Sequence, residues 1–177
     1  MKNNKGMGII SLICIVIVIA IIAGTAVYFV RLKYNEARIE TIKTDMLLVE
    51  WKLKSYVDSQ TADKVENINY LGKKLQDMQD DEIVKNFLEK DILTEEEKEK
   101  YYVLSDEDLA EAKLEITSPE GNYYLIDYNS YEIILTGGCK ISDSKILYKL
   151  SDIEKETSKS AKNEENNTEN NEMSEVE

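Results

Sequence analysis

The chain has 177 residues, with 35 Asp and Glu against 22 Lys and Arg, a net charge of −13 and no histidine. Phosphate backbones call for clustered Lys and Arg on a basic surface, so this balance excludes nucleic acid as an expected partner. The lack of imidazole removes the usual general base, the usual zinc ligand and any Ser-His or Cys-His nucleophile pair. No catalytic residue, metal site, cofactor or small-molecule ligand is expected. Cys14 lies inside an apolar run and Cys139 in the C-terminal part, which argues against an intradomain disulfide.

The first element is the apolar run itself. Met7–Val30 is uncharged over 24 residues, rich in Ile and Val, and follows a six-residue polar leader ending in Lys5-Gly6. As a helix rising about 1.5 Å per residue it would span roughly 36 Å, against a hydrocarbon core of about 30 Å. In lipid every backbone amide must pair within the segment, so even β-branched residues adopt a helix there. The run is longer than the roughly 7–15 apolar residues of a secretory signal, and no small-residue cleavage site follows it. The domain division expected is therefore 1–6 leader, 7–30 transmembrane helix, 31–154 a domain outside the membrane, and 155–177 a polar tail.

The helical pattern continues past the run. Leu32, Ile39, Ile42, Met46, Val49, Leu53 and Tyr56 follow three-, four- and seven-residue steps, an apolar stripe that needs a partner surface. No Gly or Pro falls between Arg31 and Asp58, which predicts one helix from the membrane to about residue 58. A coiled-coil dimerisation stalk is the alternative for its second half, although the heptads are few and Trp51 falls off the seam.

Shorter pieces follow. Thr61–Met78 reads as a helix with Val65, Ile68, Leu71, Leu75 and Met78 on one face, and Asp81–Lys90 as another. Thr94-Glu95-Glu96-Glu97 and Ser105-Asp106-Glu107-Asp108 both match the capping box and should start short helices. The period then changes to two. Lys113–Thr117 is a candidate strand, Ser118–Gly121 a turn, and Asn122–Tyr128 a strand returning as Tyr131–Thr136 across a two-residue Asn129-Ser130 turn. Gly137-Gly138 is expected to end that strand, and Ile141–Leu150 to add an edge strand. From Lys155 the chain is Glu-, Asn- and Ser-rich with few apolar residues, so the tail is expected to be disordered. The Asp77, Asp80, Asp81 and Glu82 group lacks EF-hand spacing and reads as helix-end solvation.

Lys5-Gly6-Met7-Gly8-Ile9-Ile10-Ser11-Leu12, followed by the Ile/Val-rich run and the long amphipathic helix, resembles the N-terminus of type IV pilins and type II secretion pseudopilins. The resemblance implies cleavage by a membrane-embedded prepilin peptidase between Gly6 and Met7, followed by N-methylation of Met7. It implies an α+β fold in which a long N-terminal helix, membrane-spanning in its first half, packs on a small antiparallel sheet with additional short helices. The family usually carries a glutamate as the fifth residue after the cut; here that position is Ser11. An unpaired charge out of water is costly, and the glutamate neutralises a neighbouring subunit's N-terminus. Its replacement points to a minor pseudopilin, or else to a non-polymerising single-pass adaptor that binds another protein.

In the pilin-like reading the partners are the membrane, prepilin peptidase and other pilin-like subunits. Small residues Gly8, Ala20, Ala23 and Gly24 would allow close helix approach in a bundle. The protein would be a single-pass plasma-membrane protein with its N-terminus cytoplasmic and its domain extracytoplasmic or in a cell-surface filament. Charge by itself leans the other way: Lys2 and Lys5 precede the run, while Arg31, Lys33, Arg38 and Lys43 follow it. Orientation therefore rests on the resemblance.

Overall fold

The computed structural model describes residues 5–63, 67–116, 118, 119 and 121–159, without the side chains of residues 5–14, 23, 24, 26–29, 31 and 32. It is an α+β structure with a long helix and a five-stranded antiparallel sheet. The helix, α1, runs Lys5–Ala62 and takes part in two compact units, residues 1–40 and 41–177. In the first unit α1 is the only described element.

In the second unit the sheet order is β1 (Lys73–Lys74), β2 (Tyr101–Leu104), β3 (Tyr124–Asp127), β4 (Ile133–Ser142), β5 (Lys145–Lys149), each antiparallel to the next. Side chains alternate across a strand, and all four residues of β3 are buried, so both faces of the sheet are covered. One face carries Tyr101, Val103, Leu125 and Ile134. It packs on Leu75 of a 3-10 turn (Leu75–Met78), Val84 and Phe87 of α2 (Glu82–Leu88), and Leu93.

The other face carries Leu104, Tyr124, Ile126, Ile133 and Leu135, paired as Leu104↔Tyr124, Tyr124↔Leu135 and Ile126↔Ile133. Here the second half of α1 buries Met46, Val49 and Leu53 completely. Lys54 lies over the Tyr131 ring at 5.3 Å, and the Tyr56 hydroxyl donates to Glu111 at 3.1 Å. The apolar stripe read from the sequence therefore finds its partner within its own chain. Its C-terminal member is Val57, 7 % exposed, while Tyr56 turns to the rim.

The caps form where their patterns lie. Thr94 and Glu97 exchange backbone bonds at the start of α3 (Glu95–Lys98), and Ser105 and Asp108 do the same for α4 (Asp106–Glu111). Glu97 also holds Lys149 of β5 at 2.9 Å, tying α3 to the sheet edge. The Thr94 amide, and then Lys149, lower the Glu97 carboxyl from 4.5 to about 2. A carboxylate depressed in the folded state stabilises the fold above its unfolded value and loses that contribution as pH falls towards the folded one. Acid denaturation between pH 4.5 and about 2 should accordingly be less steep in Glu97→Gln, measured as the denaturation midpoint against pH.

Several expected elements differ. Thr61–Met78 is not one helix: α1 ends at Ala62, residues 67–72 are irregular, and the chain then enters β1 and the 3-10 turn. Gln60 accounts for the stop, because its side chain accepts from the Asn69 amide at 2.8 Å and donates to the Asn69 carbonyl at 3.0 Å. Residues 113–116 form no strand; Leu114 closes off α4 by donating to Leu109, with Lys113 left-handed at φ 57°.

The β3–β4 connection is longer than two residues. Asp127 accepts from the Asn129 amide and the Ser130 hydroxyl, and Tyr131 takes φ 57°. Gly137-Gly138 does not end β4 but bulges it. Between Ile134↔Lys149 and Cys139↔Leu147 the chain advances five residues on β4 and two on β5. Gly138, at φ 69°, lies so close to Ile146 and Tyr148 that any Cβ would collide with them. A final helix, residues 150–159, buries Leu150 and Ile153 and pairs Glu156 with Lys145 at 2.7 Å. Helix thus persists past Lys155, where the polar tail was expected to begin; residues 160–177 lie outside the described residues.

Candidate functional site

The residues singled out by the sequence fall on α1. Ile15–Ile22 form eight consecutive apolar helical residues, all exposed, with Ile15 at 53 % and Ile22 at 61 %. Ala20 is one of them and is exposed. A helix apolar on every side has no water-compatible face, so such a segment calls for an apolar medium or apolar neighbours around its whole circumference. Gly6, Met7, Gly8, Ser11, Ala23 and Gly24 lie among the α1 residues whose side chains and surroundings are outside the description. Among the described residues no helix is long and apolar enough to cross a membrane.

In the second unit the same helix carries a different chemistry. Its inner side is locked to the sheet, while Leu48 and Trp51 stay exposed on its outside, Trp51 at 62 % with the Lys52 ammonium over its ring at 5.4 Å. Asp45, partly buried beside the sheet, has its carboxyl raised by desolvation.

A tyrosine group lies near the end of α1. Tyr70 stacks on Tyr128 with centroids 4.6 Å apart, and Tyr102 meets Tyr128 edge-on at 5.2 Å. The Tyr128 hydroxyl donates to the Leu71 carbonyl at 2.8 Å, clamping the irregular segment onto the sheet. Sequence reasoning placed Tyr70 in a helix and so missed this cluster. Its only sequence signal was the density of tyrosines, since the partners are 32 and 58 residues away along the chain. The hydrogen bond and the ring contacts make it a packing device that holds a loop.

Burial raises the phenols of Tyr101 and Tyr128 above the ordinary range, and burial together with the Asp45 carboxylate pushes Tyr124 up to about 12. A tyrosine raised in the folded state contributes stability that is complete below its unfolded value near 10 and disappears as pH climbs through the folded one. Denaturation midpoints should therefore fall steeply from about pH 10 upward. Tyr124→Phe should flatten that decline, as followed by tyrosinate absorbance and unfolding in parallel.

Asp81, of the acidic group at residues 77–82, and Asp108, of the Ser105 capping box, each bind backbone amides. Asp81 caps α2, accepting from the Ile83 and Val84 amides at 2.9 and 3.2 Å, and its second oxygen accepts from the Tyr123 hydroxyl at 3.3 Å. Asp108 completes its own cap and also accepts from the Gly72 amide at 3.1 Å. Both carboxylates are thus engaged in holding backbone. Among the described residues no group of His, Cys, Asp or Glu is arranged to hold a metal ion. What the molecule offers is a helix with an exposed apolar segment and, farther along, a well-packed domain built around the same helix. No family model, no curated protein and no solved structure matches this chain.

Proposed function

We propose that the chain is a pilin-like structural subunit, a minor pseudopilin of a type IV pilus or type II secretion-like filament, cut by prepilin peptidase and working by assembly and contact. The carrying observation is the Lys5-Gly6-Met7 junction placed directly before an apolar run that continues as the helix of the domain. Cleavage after Gly6 leaves Met7 as the N-terminus, and methylation keeps it a cation on a helix made for lipid. Residues 7–30 span the plasma membrane with the leader on the cytoplasmic side. The all-round exposure of Ile15–Ile22 supports this, because only hydrocarbon or sibling helices would satisfy such a surface.

The sheet-bound second half of α1 gives the reading its mechanical sense. Met46, Val49 and Leu53 make helix and domain one body over residues 41–62, so a pull on the helix is carried into the sheet. Ser11 favours a minor subunit, as it supplies one hydrogen bond and no counter-charge to a neighbouring N-terminus. It also favours the second reading, a processed or unprocessed tether that binds another protein and never polymerises.

Mass spectrometry of the mature N-terminus separates these. A product beginning at methylated Met7, with Gly6→Val accumulating the uncut form, supports the pilin-like subunit. Met1 or Lys2 retained in the exported protein removes it and leaves the tether.

A further inference from the structure

The two edges of the sheet differ. β1 is two exposed lysines, a strand too short and too charged to accept a further strand. β5 has five residues, none of them buried, and no strand on its outer side among the described residues. Ile146 is 48 % exposed there. A groove of about 230 Å³ lies against this strand, lined by Ile146, Leu147, Tyr148 and Lys149 together with Ile92 and Asp152. Lysines often guard an open edge, but these two are already held, Lys145 by Glu156 at 2.7 Å and Lys149 by Glu97 at 2.9 Å.

The strand is also close to a palindrome. Lys145-Ile146-Leu147-Tyr148-Lys149 reads as lysine, large apolar, leucine, large apolar, lysine from either end. We infer that β5 pairs antiparallel with β5 of a second copy of the chain, about a two-fold axis at Leu147. Ile146 then lies opposite the second copy's Tyr148, a β-branched and aromatic pair that covers the exposed isoleucine of each copy. Leu147 meets Leu147 on the other side of the strands. At the ends lysine faces lysine, but each arrives with a bound carboxylate, so the facing ends are neutral. One strand serves both copies and β1 adds no further strand, so assembly closes at two chains and does not run on as a fibre.

The axis stands perpendicular to the sheet and reverses every direction lying in its plane. The half of α1 packed on the sheet is reversed with it, so the two copies' helices run opposite ways. Two chains rooted in one membrane by residues 7–30 do not meet in this manner, whereas chains rooted in facing membranes do. The open edge then joins facing surfaces. This last step rests on the membrane-anchored reading that the pilin-like subunit and the tether share. Five residues a side make a small interface, weak singly and strengthened where many copies face each other.

The test uses the full chain with Cys14→Ser, so that the buried Cys139 is the remaining native thiol. Lys145→Cys and Lys149→Cys are made separately and oxidised with copper-phenanthroline, each alone and mixed. The expected result is a cross-linked dimer in the mixture and none in either variant alone. Ile146→Asp added to both should lower the mixed cross-link about tenfold or more, the worth of burying an isoleucine. A mixture without dimer overturns the inference. So does dimer from one variant alone, which means another register, or a mixed cross-link that Ile146→Asp leaves unchanged. Where Lys149→Cys lowers the unfolding midpoint by releasing Glu97, Ile146→Cys mixed with Tyr148→Cys reads the same register.

The facing arrangement is read in phosphatidylcholine vesicles, one population carrying each variant with the domain outside. Cross-links are expected once the two populations are mixed. Cross-links found only where both variants share a vesicle overturn it. A chain that fails to float with the vesicles removes the membrane-anchored reading, while the mixture without lipid still decides the pairing.

Discussion

Leu53→Ala should destabilise the domain by about 2–5 kcal/mol, while Trp51→Ala, two residues away on the same helix, should change stability by no more than about 0.5 kcal/mol. Leu53 is fully buried where α1 meets the sheet. Removing its three terminal carbons forfeits their transfer energy and opens a space lined by neighbours that cannot easily close in. The backbone on one side is a helix locked by Met46, Val49 and Val57, and on the other a sheet packed from both faces. Trp51, although the larger residue, is 62 % exposed and loses mainly its contact with Lys52. Urea unfolding of the full chain, followed by circular dichroism, measures both. Equal effects at the two positions would mean that the inner seam of α1 does not rest on the sheet.

Gly72→Ala is the second large effect, at about 2–3 kcal/mol. Gly72 has φ 90°, a conformation L side chains rarely adopt, and it stands where the chain turns into β1 beside β2. A Cβ there would lie 2.7 Å from the Val103 carbonyl oxygen, a backbone atom of the paired strand with no freedom to withdraw. The Gly72 amide also donates to Asp108, so any relief by moving this segment disturbs the cap of α4. Gly121→Ala is the control. Its φ of 69° is strained for alanine but nothing lies within 4 Å of the added methyl, so about 1 kcal/mol is expected. Thermal unfolding of the three proteins side by side decides it; a Gly72→Ala cost no greater than that of Gly121→Ala would place the close approach in error.

These two positions divide what was legible in the chain from what was not. Leu53 could be named from spacing alone, because a helix repeats every 3.6 residues and an apolar stripe at that period must be buried against something. The Thr94 and Ser105 caps were equally readable, since donor and acceptor lie three residues apart and need nothing from elsewhere. The Asn122–Thr136 strand pair was visible as alternation, although its turn was not. Asp127 has to fold back on Asn129 and Ser130, and Tyr131 has to accept a left-handed backbone, before the connection takes its length.

The reading of Gly6-Met7 as a junction, with Gly8, Ser11, Ala20, Ala23 and Gly24 beyond it, rests on resemblance alone, because a linear motif of that kind would need no packing partner to write it. The stretch 61–78 was misread for the opposite reason. Its helical spacing is genuine, but Gln60 binding Asn69, Tyr128 binding the Leu71 carbonyl, and the pairing of Lys73 with Val103 outweigh a local preference worth tenths of a kcal/mol per residue. The bulge at Gly137-Gly138 likewise depends on how closely Ile146 and Tyr148 approach from β5.

By itself, then, the sequence determined everything governed by neighbours a few residues apart: the long helix, its inner stripe, the caps, the alternation of the strands, the acidity. Only the tertiary structure decided what fills that stripe, where the helix stops, how β4 bulges, and that the last helix runs past Lys155. Each of those outcomes depends on contacts between residues far apart in the chain, whose energies exceed local propensity and leave no periodic trace in the sequence.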